Sequence, residues 1–304
     1  VFAAAPLWVL LAGLSAVCLG IYDIAKKSSL EGNAVIPVLW ACNAAAVLVL
    51  APFVGLAWLA PETGRALGLH GAALDVSEHA LVFVKAIIVS SSWLLTFFAL
   101  KHLPISIAAP LRASAPLFTL LGAIALFGER PTALQWLGIL SILAAYFAFS
   151  VLGRAEGIRF ERNRHVWLLL AGTLVGAASA LYDKHLLASR NLNPWALQVW
   201  FSVYALLIQS VIMAVAWWPK RKTGTAFTFR WTILLVAITL LLADQCYFHA
   251  LGQEGALLSV ISVMRRTNVI VSFGVGAIVF REAQRTRKAF ALAGILVGLV
   301  LLVR

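Results

Sequence analysis

Apolar runs long enough to cross a bilayer recur ten times along these 304 residues. A spanning helix needs about 20 mainly apolar residues, because hydrocarbon offers an exposed backbone group no partner. The runs fall at roughly 5–25, 34–60, 80–101, 105–127, 132–152, 166–188, 195–218, 231–252, 255–280 and 288–303. Between the second and third, residues 61–79 are polar enough for a loop that carries a short interfacial helix. The chain is 62% hydrophobic and 12% charged, whereas soluble domains are about 45–50% apolar and about 25% charged. An all-α membrane protein is expected. The first run follows no basic stretch and no evident cleavage site, so it reads as a span and not as a signal peptide.

The ten runs divide into two similar sets of five. Tyr22-Asp23 closes the first run as Tyr182-Asp183 closes the sixth. Ala99-Leu100 precedes the fourth as Ala250-Leu251 precedes the ninth, and Gly138-Ile139-Leu140 matches Gly294-Ile295-Leu296. Arg112 and Arg265 each stand 17 residues before a glutamate, Glu129 and Glu282. An odd number of spans per copy forces the second copy to insert upside down. The expected architecture is therefore ten transmembrane helices as two inverted five-helix repeats, 1–152 and 166–304, joined by the basic linker 153–165. Carriers built this way place their substrate near the midplane between the repeats.

Net charge is +12, but the basic residues cluster in short connections, as cytoplasmic loops do; a nucleic-acid partner is not expected. Assigning every Lys and Arg except Arg112, Arg265 and Arg266 to the nearest connection puts fifteen on the side of the odd-numbered loops and six on the other. That places the odd loops in the cytoplasm and both termini outside. Cys18, Cys42 and Cys246 lie inside apolar runs without histidines nearby, and imply neither a disulfide nor a metal site.

Ionised side chains inside spans are the candidate functional residues, because each costs at least about 2.5–3.5 kcal/mol in hydrocarbon unless it meets a cavity or a partner. Arg112, bracketed by Pro110 and Pro116, and the adjacent pair Arg265 and Arg266 offer planar forks that fit phosphate or carboxylate. The alternative for Arg112 is a structural salt bridge to Asp23, Asp183 or Asp244. Asp23 and Asp183 are candidates for ion coupling, or they neutralise Lys26, Lys27 and Lys184. Gln245 and Tyr247, with Tyr22 and Tyr182, are candidate contacts to the rest of a substrate. Asp244 is either a coupling group or the resting partner of the arginines. Glu129, at a helix end where the dipole disfavours it, calls for a specific partner.

The stretch ALKHLPISIAAPLRASAPLFTLLGAIALFGERPTALQWLGIL resembles the third-to-fifth helices of the drug/metabolite transporter superfamily, the EamA-like ten-helix carriers. SIAAPLRASAP, with Arg112, and RRTNVIVS, opening on Arg265-Arg266, are similar to segments of its triose-phosphate and sugar-phosphate translocator branch. That likeness implies that the three arginines grip a phosphate. Ala115 stands where those relatives carry glutamate and Asp244 where they carry asparagine, and their termini face the cytosol. The resulting expectation is a secondary carrier of a small, phosphate-bearing organic anion, working by alternating access as an antiporter in a bacterial inner membrane, as monomer or homodimer. The alternatives are an exporter of amino acids or other neutral or amphipathic metabolites, or a flippase for a phosphate-bearing lipid. No cofactor and no enzymatic activity are expected, since neither HExxH nor a nucleotide loop is present.

Overall fold

The computed structural model describes residues 6–30, 32–66, 69, 73–102, 115–151, 163–268, 271 and 293–301. Within them the chain is helical: α1 (Leu7–Leu30), α2 (Val35–Leu59), α3 (Val76–His102), α4 (Ala115–Phe127), α5 (Ala133–Val151), α6 (Arg164–Lys184), α7 (Pro194–Ile212), α8 (Thr232–Leu251), α9 (Leu258–Arg266) and α10 (293–301). A short helix, Pro61–Ala66, lies in the loop before α3. Among the described residues six helices, α1, α2, α3, α6, α7 and α8, are long and apolar enough to cross a membrane. Arg112, Glu282 and nearly all of the 153–165 linker lie outside the described residues.

The helix starts follow from local chemistry. Asp75 and Glu78 form a reciprocal capping box on α3: Glu78 N donates to Asp75 Oδ1 at 2.7 Å, and Asp75 N donates to Glu78 Oε2 at 2.9 Å. The bonds from Glu78 N and Ser77 hold the Asp75 carboxyl below its ordinary pKa, so the cap survives until the pH falls through that lowered value. Asn193 accepts from Trp195 N at 2.8 Å, with Pro194 at the first turn of α7, where a missing N–H costs nothing. Gly128 takes a left-handed φ of 63° at the end of α4 and turns the chain so that Glu129 points back into the bundle.

The outward stripe of α1, Leu7, Leu10, Leu14, Val17 and Ile21, is exposed at helical spacing, as a lipid-facing surface would be. Its inward face packs along α8, and α3 packs in the same way along α6. Ser15 Oγ donates to Ala243 O at 2.7 Å across the first interface, and Ser92 Oγ to Gly172 O at 2.7 Å across the second. A Cβ on Gly172 would lie 2.6 Å from Thr96 Oγ1 and 3.1 Å from Thr96 N, so this close approach requires glycine. Among the described residues, further contacts between the halves pair α2 with α7 and α8, α3 with α7, α4 with α6 and α9, α5 with α9, and α1 with α9. Helix α10 meets α5 through Gly294 and Gly298, against Ala145 and Ile142.

Helix α1 continues to Leu30, beyond the expected end near residue 25, and α3 starts at Val76 instead of 80. The first extension takes Lys26 and Lys27 from a connection into a helix, and Lys85 and Lys184, counted with the connections, also lie within helices. Lys85 lies nine residues into α3, about 14 Å along its axis at 1.5 Å per residue, and is only 2% exposed. Lys184, likewise assigned to a loop, is buried at the end of α6 and donates to Ala256 O. Neither belongs in a count of loop charges, and Lys26 and Lys27 leave the opposite side for the same reason.

The buried carboxylate of Glu129 has the specific partner its position demands. Oε1 accepts from Leu258 N at 2.6 Å, while Oε2 accepts from Ser259 N at 3.0 Å and from Ser259 Oγ at 2.6 Å. It therefore caps α9, a helix with no side-chain cap of its own, and adds a negative charge where the dipole favours one. Glu129→Ala should lower stability by about 2–3 kcal/mol, given three lost charge-assisted bonds in a buried site. Thermal unfolding in detergent measures this, and a melting temperature equal to wild type would show the cap to be incidental.

Candidate functional site

A cavity of about 320 Å³ lies between the two halves, lined from α1, α3, α4, α6, α7, α8 and α9. Among the described residues its charged lining comprises Lys26 of α1, Lys85 of α3, Asp183 of α6, Asp244 of α8, and Arg265 and Arg266 of α9. Four cations face two carboxylates. Ser92, Thr96, Thr119, Thr173, Ser179 and Ser262 add hydroxyls, and Trp93, Phe201, Tyr247 and Phe248 add aromatic walls.

Lys85 and Asp183 form an ion pair in which both side chains are at most 6% exposed. The Lys85 ammonium also sits over the rings of Phe201 at 4.6 Å and Phe248 at 4.9 Å. Residues adjacent on a helix point about 100° apart. Asp183 therefore turns inward to Lys85 while Lys184 reaches Ala256, and the expected neutralisation of Asp183 by Lys184 does not occur. Tyr247 is buried and lines the cavity with this pair.

The second ion pair joins Arg265 Nη2 to Asp244 Oδ1 at 2.9 Å, with side chains 20% and 15% exposed. The guanidinium lies 4.0 Å from the centre of the Tyr247 ring, a cation–π contact that fixes its plane. Asp244 and Tyr247 are three residues apart on α8 and so share its inner face. Arg265 and Arg266 occupy the last turn of α9, where the dipole favours positive charge. Glu129 tethers that helix at its other end, seven residues or about 10 Å from Arg265. The cap thereby fixes the position from which both arginines reach the cavity.

Of the residues singled out in the sequence, Tyr22, Asp183, Asp244, Tyr247, Arg265 and Arg266 come together at this cavity. Tyr182 does not line it; its hydroxyl donates to Leu81 O at 3.2 Å, between α6 and α3. Gln245 also stands outside it, one position and about 100° around α8 from Asp244. Asp23 accepts a hydrogen bond from Asn268 Nδ2, which ties α1 to the chain just beyond α9. Lys26 and Lys85 are the cavity cations that the loop assignment hid. For Lys85 the signal was a lysine inside an otherwise apolar run; Lys26 stands just past the expected end of the first run and reaches the cavity beside the Tyr22 ring, 5.4 Å away.

Residues 6–151 match the EamA-like transporter family. No curated protein matches the chain. Among solved structures, one described only as the crystal structure of a protein is similar over 96% of this chain and 95% of its own. It superposes with a TM-score of 0.72 at 16% identity, a likeness of fold alone.

The buried Lys85–Asp183 pair makes a sharp stability prediction. Lys85→Met alone should cost about 3–5 kcal/mol, because it strands a carboxylate in the core. Adding Asp183→Asn should recover most of that loss, since the stranded charge disappears with it. Unfolding of both variants and the double mutant measures the coupling; additive losses would mean that the two groups do not act as a pair.

Proposed function

From the premise that residues 6–151 are an EamA-like transporter family domain, we propose that the chain is a secondary carrier of a small organic anion. The observation that carries this reading is the cavity between the halves, where four basic side chains face two carboxylates. Arg265 and Arg266 bind the anionic group; Arg112 would be the third arginine of the clamp. Guanidinium forks favour a ligand with several anionic oxygens, and a phosphate ester fits best. Tyr22 and Tyr247 border the rest of the substrate. A volume of about 320 Å³ lies at the small end of the roughly 300–1,000 Å³ usual for ligand pockets. That size favours a metabolite over a phosphate-bearing lipid.

Transport proceeds by alternating access of two inverted five-helix repeats across a membrane, a bacterial inner membrane in our reading. The helix pairing supports the repeat: exchanging α1–α5 for α6–α10 turns the α1–α8 contact into α6–α3, and α1–α9 into α6–α4. The same exchange turns α2–α8 into α7–α3 and maps α2–α7 and α4–α9 onto themselves. Rocking one half against the other alters access at the interface that carries the cavity. A substrate drives that switch only through different affinities for the two states.

One observation favours a second reading. Arg265 is bonded to Asp244, and a cavity whose charges are internally paired suits an amino acid or another net-neutral metabolite.

Thermal stability of the purified protein against sugar phosphates, inorganic phosphate, dicarboxylates and neutral amino acids separates the two. A ligand at a hundred times its Kd stabilises by about 2.7 kcal/mol. We expect a phosphate ester to raise the melting temperature of wild type and to lose that effect in Arg265→Ala and Arg112→Ala. Stabilisation by neutral amino acids alone, retained in both variants, would replace the anion carrier with the neutral-metabolite exporter.

A further inference from the structure

We propose that Asp244 is an internal stand-in for the substrate's anionic group. Its carboxylate engages Arg265 while the cavity is empty and yields that place to an incoming anion, so the carrier can also cross unloaded. The inference rests on the anion reading above and adds a transport mode to it: net movement as well as exchange.

The two ion pairs of the cavity are built differently. Lys85–Asp183 is enclosed, with its ammonium against two aromatic rings and both side chains at most 6% exposed, so it keeps its partners whether or not the cavity is filled. Arg265–Asp244 lies in the cavity wall, several times more exposed, and rests on one hydrogen bond between Nη2 and Oδ1. The fork of Arg265 is only partly used. Its Nε is buried and has no hydrogen-bond partner among the described residues. A phosphate or carboxylate that took Nε together with Nη2 would make two parallel bonds where Asp244 makes one.

The Tyr247 ring holds the guanidinium from below at 4.0 Å. Arg265 therefore stays in place when its acidic partner changes, and the swap needs movement only of the short Asp244 side chain. Asp244 competes with the ligand but does not share its hydrogen-bonding geometry. Competition of this kind weakens apparent affinity by the fraction of time the site is self-occupied.

The electrostatic consequence concerns the return step. Among the described residues the cavity wall carries Lys26, Lys85, Arg265 and Arg266 with Asp183 and Asp244. Without Asp244 the wall has one negative charge fewer, and a partly buried guanidinium lacks its counter-ion. Such a site is costly to carry through an occluded state, and it would confine the protein to crossing with an anion bound.

The test uses wild-type protein, Asp244→Asn and Asp244→Glu in proteoliposomes with radiolabelled glycerol 3-phosphate. Uptake into unloaded vesicles reads net movement, and uptake into vesicles preloaded with unlabelled glycerol 3-phosphate reads exchange. Wild type should show both modes. Asp244→Asn should keep exchange, bind glycerol 3-phosphate several-fold more tightly, and lose net uptake by about tenfold, the effect of leaving the guanidinium unpaired in the crossing state. Asp244→Glu should restore net uptake. Strict exchange by the wild type overturns the inference without recourse to any variant. So does an unchanged ratio of net uptake to exchange in Asp244→Asn, or equal loss of both modes in a variant whose melting temperature shows it folded. Uptake by the wild type in neither mode, with neutral amino acids carried instead, sinks the anion reading and this inference with it.

Discussion

A charge placed among apolar helices must be met by a counter-charge or by water, and the interface between the two halves of this protein is arranged around that requirement. Lys85 and Asp183 meet at the base of the cavity and are enclosed by Phe201, Phe248 and Tyr247. Each partner comes from a different half, α3 and α6, which also make one of the two closest interhelical seams through Gly172 and Ser92. Replacing either ion alone would leave the other stranded in the interface.

Helix α9 links that interior to the periphery. It is short, starts without a side-chain cap of its own, and relies on Glu129 from the turn after α4. Nearby, Lys184 holds the carbonyl of Ala256 in the loop leading into the same helix. These two attachments secure the end of α9 remote from the cavity, while its last turn carries Arg265 and Arg266 to the cavity wall. The anchor at one end of α9 therefore sets where the arginines at its other end stand. Glu129 thus acts on the site through position and not through contact.

Much of the plan is visible in particular stretches of sequence. The long apolar runs mark α1, α2, α3, α6, α7 and α8, and Asn193-Pro194 and Asp75 through Glu78 mark helix starts because capping chemistry is local. Adjacent arginines in an otherwise apolar run identify Arg265 and Arg266 as residues in need of a cavity or partner. Lys85 is less legible: its distance from a helix end depends on where α3 begins, and helix boundaries are the least certain feature of a sequence pattern. Tyr182 and Gln245 show the converse, since a one-position difference on a helix turns a side chain by about 100° and separates cavity from packing interface.

The sequence by itself determined that this is a helical membrane protein with charges that cannot face lipid, because hydrophobicity, run length and the energetic penalty on ions are properties of the residues. It also identified Glu129 as a residue needing a partner and Asp244 as one possible partner of an arginine. Only the tertiary structure decided which carboxylate meets which cation: Asp183 with Lys85 and not with neighbouring Lys184, and Asp244 with Arg265. Those pairings join residues 98 and 21 positions apart. Helix packing and rotation set such distances, and neither is encoded by spacing along the chain alone.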